Sequence, residues 1–405
     1  MVEREVIRRI IIEGQEFVNE ISLTERPFFF EQKGNYVFVG IRQAGKSYLL
    51  YQRIQQLLRE EHNINEIVYI NFDDERLRQM TADDLDLILQ AYHSLFDLRP
   101  LLFFDEIQNI EGWEHFARRL ANQKYNIYIT GSNAKMLSRE IATTLGGRFW
   151  NKDVYPYSFA EYLNARNIIL SKNWMYGKQA AEVSKAFNDY FLYGGFPELT
   201  DVIAKRVWLN DIYSKIFFSD LIVRNKVRNE EALGLLVRRL AENVKQPISY
   251  TRLANLISSI GIKISKATVI EFIRYLKESC LIFPIENYAA KFAERNSNMK
   301  HYFIDNGLLS IFLLDGNTSL LENIVAIHLY KRYGAQLYFY NQNIEVDFII
   351  PEAKTAIQVS YSLMDETTCR REVEGLIKLN RVFPMDNMCI ITRDEERIIT
   401  HESGV

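Results

Sequence analysis

The feature that most constrains the fold is a glycine-rich loop between a strand-like run and a helical segment. Residues 40–47 read GIRQAGKS, after the apolar run NYVFV and before SYLLYQRIQQLL, whose apolar residues recur at helical spacing. The loop matches the pattern GxxxxGK[ST], in which glycines let successive backbone N–H groups surround a phosphate at the amino end of a helix. The sequence therefore predicts a phosphate site at the end of a strand in an α/β fold.

The polar residues of this loop have predicted roles in binding ATP and Mg²⁺. We expect Lys46 to reach the β- and γ-phosphates and the Ser47 hydroxyl to ligate Mg²⁺. A chance match on a structural turn is the alternative, because short motifs carry false positives. The residues predicted to bind the nucleotide are Gly40, Gln43, Ala44, Gly45, Lys46, Ser47 and Tyr48.

A second motif, RPLLFFDEIQNIEGWE, places two carboxylates at the end of an apolar run. Residues 101–104 read as a buried parallel strand, and Asp105 and Glu106 follow it. We expect Asp105 to ligate Mg²⁺ and Glu106 to polarise the attacking water, and we also predict a catalytic role for Lys46. An Asp-Glu pair after a strand is by itself more often a helix cap. Together with the upstream loop, it favours catalysis.

Two later segments add candidate polar residues. The run YNIYITGSN ends in Ser132 and Asn133, and either residue is able to cap the helical segment that follows. In TLGGRFW, Arg148 follows two glycines, and an arginine on such a turn suits a charge-stabilising finger that acts in its own chain or on a neighbouring subunit. A surface arginine is the alternative for Arg148. Strands that alternate with helices and end in polar residues predict a parallel sheet.

These motifs, in this order, resemble one known family. The segments GIRQAGKS, YINFDDERL, LLFFDEIQNIEGWE, YITGSNAKMLSREIATTLGGR, VYPYSFAEYL and YFLYGGFPE are similar to AAA+-superfamily ATPases of the AAA-14 type with a C-terminal DUF4143 domain. The resemblance extends from about residue 20 to residue 395. It implies ATP and Mg²⁺ as cofactors, Ser47 and Asp105 as metal ligands, and Asn133 as a sensor of the γ-phosphate, with Ser132 as the cap. It says little about biological role.

The middle of the chain is basic although the net charge is −3. Residues 201–300 contain 17 Lys and Arg against 10 Asp and Glu. Within them, ISYTRLANLISSIGIKISKATVIEFIRYLKES predicts a winged helix-turn-helix. If it binds DNA, residues 265–279 form the recognition helix, and Lys263, Lys266, Arg274 and Lys277 contact phosphates. A module that only packs against its neighbours is the alternative, because a basic face alone supplies only non-specific binding.

The carboxyl-terminal segments resemble the core of PD-(D/E)xK nucleases, a fold that DUF4143 proteins typically carry. Glu322, Glu345 and Asp347 supply carboxylates, but the triplet that should read E-x-K is QVS at residues 358–360. Nuclease chemistry needs that acid to bind a metal and that lysine to orient water. We therefore predict a catalytically inactive domain that serves in binding or docking.

Length and composition complete the predictions. A chain of 405 residues exceeds one core, and we expect an N-terminal helix with a P-loop NTPase parallel-sheet core at 1–160, a helical and winged-helix region at 161–290, and a degenerate nuclease-like α/β domain at 291–405. Three scattered cysteines fit the reducing cytoplasm. No run of about 18 apolar residues occurs, so no membrane association is expected. A protein partner is expected but not identified, and a homo-oligomer is left open.

The leading functional prediction is Mg²⁺-dependent ATP hydrolysis that changes the conformation of C-terminal domains engaging a partner or DNA. One alternative is a nucleotide-gated DNA-binding protein with little turnover. The other is a metal-dependent nuclease.

Overall fold

The computed structural model describes residues 2–137, 139–291, 295 and 297–399, and the chain divides into two compact units. Unit 1 comprises Met1–Ile169 with the short segments Phe196–Thr200 and Glu278–Cys280. Unit 2 comprises Leu170–Gly195, Asp201–Lys277 and Leu281–Val405.

Unit 1 is an α/β unit built on a parallel sheet. Its strands are β1 (Asn35–Val39), β2 (Ile67–Asn71), β3 (Leu101–Asp105), β4 (Ile127–Gly131) and β5 (Phe149–Asp153). Its α-helices are α1 (Arg4–Glu20), α2 (Lys46–Arg59), α3 (Asp86–His93), α4 (Trp113–Asn122), α5 (Arg139–Leu145) and α6 (Phe159–Ala165). Short 3-10 helices span Ile64–Glu66, Glu75–Leu77, Ala82–Asp84, Ile107–Asn109, Ala134–Leu137 and Pro197–Thr200.

The strand order of unit 1 places the predicted motifs side by side. The order is β2-β3-β4-β1-β5, and all paired strands are parallel. β3 and β4 are buried along their whole length, because helices cover both faces of the sheet. The carboxyl ends of β1, β4 and β3 are therefore adjacent, and the segments that follow them share one edge of the sheet.

Unit 2 is built on a seven-stranded sheet with the order β12-β11-β10-β9-β7-β8-β6. The strands are β6 (Ile248–Ser249), β7 (Ile282–Asn287), β8 (Asn298–Phe303), β9 (Tyr338–Asn341), β10 (Glu345–Ile350), β11 (Thr355–Val359) and β12 (Asn387–Ile391). The helices are α7 (Lys178–Tyr193), α8 (Lys205–Lys215), a π-helix (Ile216–Val223), α9 (Glu230–Glu242), α10 (Tyr250–Ser258), α11 (Lys266–Glu278), α12 (Asn306–Ser310), α13 (Asn317–Tyr333) and α14 (Glu366–Val382). Short 3-10 helices span Trp174–Tyr176 and Gly334–Gln336.

The division into units differs from the predicted domain boundaries. The predicted boundary at residue 290 does not separate two compact units, because β7 on one side of it pairs with both β8 and β9 on the other. A continuous sheet thus joins the predicted second and third domains. Across the described part of the chain, no helix has the length and apolar character needed to cross a bilayer.

Candidate functional site

The glycines of the loop between β1 and α2 are required by its backbone path. A Cβ atom on Gly40 would lie 2.0 Å from the carbonyl oxygen of Val154, so any larger residue would clash. Gly45 has φ of 91° immediately before α2, a left-handed conformation that favours glycine. Gln43 also has positive φ, at 60°, and Ala44 is buried. The loop therefore turns tightly into the amino end of α2, where the first N–H groups of the helix have no intrahelical partner.

Lys46 is buried at the start of α2 and has few partners for its charge. Its Nζ donates a hydrogen bond to the carbonyl oxygen of Ile41 at 3.1 Å. Its ionic contact is with Glu106, whose Oε1 lies 3.6 Å from the Lys46 nitrogen. A single carboxylate at this distance leaves the ammonium group with capacity for an anion, because Lys carries three donor hydrogens.

Asp105 ends β3 and lies at the centre of a hydrogen-bond network. Its Oδ2 accepts a bond from the Tyr69 hydroxyl at 2.8 Å, and its Oδ1 accepts a short bond from the Thr130 hydroxyl. The Ser47 hydroxyl also bonds to it. Burial is the main cause that raises the pKa of Asp105, and the charge of Glu106 adds to it. Carboxylate and hydroxyl oxygens suit Mg²⁺, so Ser47 and Asp105 fit the predicted metal site.

Glu106 follows Asp105 in a left-handed conformation, with φ of 52°. Its N–H donates to the Thr130 hydroxyl at 3.0 Å, and its Oε2 accepts a short bond from Gln108. Burial alone would raise the pKa of Glu106, but Lys46 and Gln108 outweigh it, and the pKa lies below its usual value. The carboxylate is therefore ionised at neutral pH and able to accept a hydrogen bond from water.

Ser132 and Asn133 lie at the same edge, and the hydrogen bonds show a cap at Asn133 rather than at Ser132. The Asn133 side chain accepts a hydrogen bond from the Lys135 N–H at 2.9 Å, so it caps the short helix that follows. Ser132 is buried, and its hydroxyl accepts a bond from Gln108 at 3.3 Å. The structure thus links Ser132, rather than Asn133, to the Glu106 carboxylate.

The structure does not bring Arg148 to this edge. Arg148 precedes the first residue of β5, which pairs with Asn35, the first residue of β1. It therefore lies at the amino-terminal edge of the sheet, the opposite end from Lys46. There its guanidinium donates to the carbonyl oxygen of Gly146 at 3.2 Å. A finger role in the same chain does not fit this placement, because parallel strands separate the two edges. Tyr48 is half exposed on α2, and its ring packs edge-on against Tyr51.

Three supporting residues have side chains that sequence reasoning missed, namely Tyr69, Thr130 and Gln108. Tyr69 and Thr130 lie on strands beside β3, and only the strand order shows that they meet Asp105. Gln108 lies two residues after Glu106, and this short separation is the one sequence signal that could have identified it.

Arg26 is a fourth residue that the sequence analysis did not identify, and its side chain contacts the backbone of the loop between β1 and α2. Its guanidinium donates to the carbonyl oxygen of Ala44 at 3.1 Å and to that of Tyr155 at 3.0 Å. It also forms an ion pair with Glu161 at 2.7 Å. Both partners of this pair are largely buried, so the arginine fixes the loop rather than offering its charge to solvent.

Known proteins are similar to this chain in sequence. The AAA_14 family, described as an AAA domain, matches residues 32–163, which include Lys46, Asp105 and Glu106. An uncharacterized protein of Methanocaldococcus jannaschii is 32% identical over 410 residues, covering 98% of this chain and 91% of that protein. This chain belongs to the AAA_14 family. An uncharacterized protein of Haemophilus influenzae is a further relative of this chain, 30% identical, with 85% of this chain and 86% of that protein covered.

The second family match of this AAA_14 protein lies in its carboxyl-terminal part. A domain of unknown function, DUF8612, matches residues 184–319. The motif resemblance predicted a DUF4143 domain, and that assignment is not supported, because the family matched after the AAA domain is DUF8612.

Solved structures resemble the AAA_14 protein only loosely. The Walker-type ATPase of Pyrococcus abyssi is 14% identical with a TM-score of 0.44, covering 77% of this chain and 96% of its own. AMPPCP-bound DnaA from Aquifex aeolicus is 17% identical with a TM-score of 0.27, covering 67% of this chain and 88% of its own. At these scores neither likeness carries an argument about mechanism. The parallel-sheet core carries a GxxxxGK[ST] loop between β1 and α2, as P-loop proteins do.

Proposed function

We propose that this AAA_14 protein binds ATP with Mg²⁺, hydrolyses it at the carboxyl edge of the unit 1 sheet, and uses the turnover to change the conformation of unit 2. The observation that carries this proposal is the meeting of two pairs at that edge. Ser47 bonds to Asp105, and Lys46 lies 3.6 Å from Glu106.

Each residue of the site has a chemical task in this proposal. The loop amides and Lys46 bind the phosphates, and Ser47 and Asp105 hold Mg²⁺, which neutralises phosphate charge when bound. Glu106, ionised and held by Gln108, orients the attacking water and accepts its proton. Lys46 leaves Glu106 for the γ-phosphate when ATP binds, and the carboxylate then faces the water alone.

Two variants test the proposal by separating binding from turnover. Glu106→Gln should retain ATP binding and lose roughly 100-fold or more in phosphate release, because the water loses its base. Lys46→Ala should lose both, measured as phosphate release and as binding of a fluorescent ATP analogue. Lys33→Ala and Glu111→Gln, exposed residues of the same unit, are the matched controls. Unchanged phosphate release in Lys46→Ala would refute the proposal.

A second candidate function is nucleotide-gated binding of DNA by unit 2. In favour of it, α9, β6, α10, α11, β7 and β8 follow one another in the order of a winged helix, and both β6 and β7 pair antiparallel with β8. The four basic residues predicted to contact phosphates are all exposed: Lys263, Lys266, Arg274 and Lys277. Against it, Arg274 has Glu271 at 3.7 Å on the same helix.

Retention of duplex DNA at low salt tests this second function. We expect binding at about 50 mM salt that weakens steeply as salt rises, because released counterions drive such association. The double substitution Lys266→Ala and Lys277→Ala should weaken it, and Lys378→Ala on α14 should not. Equal retention by all three proteins would count against a role for α11.

We further infer that α13 to β12 form a nuclease-like core without nuclease activity. The order α13, β9, β10, β11, α14, β12 supports this, with β9, β10 and β11 antiparallel and β12 parallel to β11. Gln358 stands where an acid is needed, and its side chain is used to join strands. It accepts a bond from the Asp347 N–H at 2.9 Å and donates to the Glu345 carbonyl oxygen at 3.0 Å.

A further inference from the structure

A buried lysine lies beside a large cavity in unit 2. Lys300, on β8, has a fully buried side chain whose Nζ lies 3.0 Å from Asp347, 3.2 Å from Glu322 and 3.7 Å from Glu345. These three carboxylates line a cavity of about 830 Å³. We call Glu322, Glu345 and Asp347 the acidic cradle. The E-x-K pattern expects the lysine on β11, whereas the lysine that contacts these acids lies on β8.

Other bonds hold two members of the acidic cradle in place. The oxygen of Glu322 that contacts Lys300 also accepts a bond from the Tyr302 hydroxyl at 2.7 Å. The second oxygen of Asp347 accepts a bond from the Val359 N–H at 2.9 Å. Because Tyr302 and Lys300 alternate with His301 on β8, both project from the same face of that strand toward Glu322. The arrangement is therefore built into the sheet and does not depend on mobile surface side chains.

The charge balance of this cluster depends on the lysine. Burial alone would lower the pKa of Lys300, but the three carboxylates outweigh it and raise the pKa above its usual value. The ammonium group is thus permanently charged. The ammonium group donates hydrogen bonds to Asp347 and Glu322, and the Glu345 carboxylate lies 3.7 Å away as a third ionic contact.

While Lys300 is present, the oxygens of the cradle are spaced around an ammonium group and not around a divalent ion. Its oxygens lie 3.0 to 3.7 Å from the nitrogen, whereas Mg²⁺ needs oxygens at about 2.0–2.1 Å. Within the described ranges, no group of three or more His, Cys, Asp or Glu residues is placed to hold a metal ion. A divalent ion at the cradle would also meet the positive charge of Lys300 at close range, where repulsion is strong.

We propose that the Lys300 ammonium group is the resident cation of the acidic cradle and takes the place of a divalent metal ion. The cradle of the wild-type protein therefore binds no divalent metal ion. This gives three carboxylates a structural task in a core whose residues 358–360 read QVS rather than E-x-K. The acids hold β8, β10 and α13 together through one internal cation. The inference is independent of ATP hydrolysis in unit 1.

Mn²⁺ binding to the nucleotide-free full chain tests the proposal. Wild type and Asp347→Asn should bind the same number of Mn²⁺ ions, counted by the loss of the free-ion resonance. Lys300→Met should bind one more ion than Lys300→Met/Asp347→Asn, and Mn²⁺ should raise its melting temperature by about 5 °C or more. Lys378→Met is the matched control, because Lys378 lines the same cavity with an exposed ion pair to Glu374. It should gain no ion.

Two results would overturn the proposal. One is an ion bound by wild type and lost in Asp347→Asn, which would place a metal beside Lys300. The other is a folded Lys300→Met variant that gains no ion, which would show that the cradle has no place for one. If circular dichroism shows that Lys300→Met does not fold, Lys300→Met/Glu322→Gln replaces it, because that change also removes the buried charge of Glu322.

Discussion

Lys46 in unit 1 and Lys300 in unit 2 are both buried, and they differ in how much of their charge is neutralised. Lys46 has a backbone carbonyl at 3.1 Å and one carboxylate at 3.6 Å. Lys300 has three carboxylates within 3.7 Å and no exposed surface. The first lysine remains able to bind a phosphate, and the second is held by its own chain.

The difference teaches how a buried cation is recognised as functional or structural. Both lysines are buried and have a neighbouring acid, so neither feature distinguishes a lysine that binds a ligand from one that only stabilises the fold. The deciding features are the number of carboxylates around the nitrogen and the backbone beside it. At Lys46 the free amides of a helix terminus add a second reason for an anion to bind. At Lys300 three carboxylates of the same chain lie within 3.7 Å of the nitrogen.

The largest expected effect is on the free energy of unfolding, which the two lysines should affect to different extents. Lys300→Met should destabilise unit 2 by about 3–5 kcal/mol in nucleotide-free, metal-free buffer, because three carboxylates lose their cation. Lys46→Met should cost unit 1 only about 1 kcal/mol, the worth of one hydrogen bond. Hydrogen exchange read by mass spectrometry reports the two units separately, through peptides of β8 and β1. Equal losses in both units would remove the distinction drawn between the lysines.

The second prediction concerns the pH dependence of unit 2. Burial, with the charge of Asp347, raises the pKa of Glu322 to about 7, against about 4.5 for an ordinary glutamate. Since the folded state holds the proton more tightly, Glu322 stabilises the fold below about pH 4.5, and this contribution is lost as pH rises through about 7. The loss is on the order of 2–3 kcal/mol.

Glu322→Gln isolates this effect. Burial raises the pKa of Asp305 to about 6, which acts in the same direction, and lowers the pKa of His301 to about 4, which acts in the opposite one. The substitution leaves both groups in place, so only the difference between the two urea-unfolding profiles from pH 5 to pH 8 is assigned to Glu322. A variant as pH-dependent as wild type would mean that Glu322 stays ionised throughout.

The smallest expected effect concerns Gln108 in unit 1 and its influence on kcat. Gln108→Ala should lower kcat about 10-fold with little change in ATP affinity, because it removes the bond that holds Glu106 toward the water. The acid limb of the kcat profile should also move to higher pH, since Gln108 helps to lower the pKa of Glu106. Gln123→Ala, exposed at the end of α4, is the control. A fall in kcat without the shift in the pH profile would assign Gln108 a structural role only.

Much of unit 1 was predictable because its signals are local. Lys46 and Ser47 are neighbours in one loop, and Asp105 and Glu106 are neighbours after one strand, so a short motif contains each pair. Apolar runs that end in polar residues also indicated a parallel sheet. Short motifs do not give the placements that depend on direction: Asn133 caps a helix, and Arg148 lies at the other edge of the sheet, which does not fit a finger role in its own chain.

Unit 2 shows where local signals end. The acids of the cradle were predicted from the resemblance to the nuclease core, with Glu322 on a helix and Asp347 on a strand, and the QVS triplet lacks a lysine. The lysine itself is 47 residues before Asp347 and reaches it only because β7 and β8 join the sheet that carries β10. No spacing rule connects the two residues, since the connection is a tertiary pairing.

The amino-acid sequence alone determined which chemical groups unit 1 contains: a phosphate loop and two carboxylates. Each is a short contiguous segment whose backbone conformation restricts which residues fit. Only the tertiary structure decided which side chains support that chemistry and whether a buried charge is free or already paired. The physical reason is that a charge interacts over a few ångströms of space, and folding brings within that distance residues that the chain places far apart.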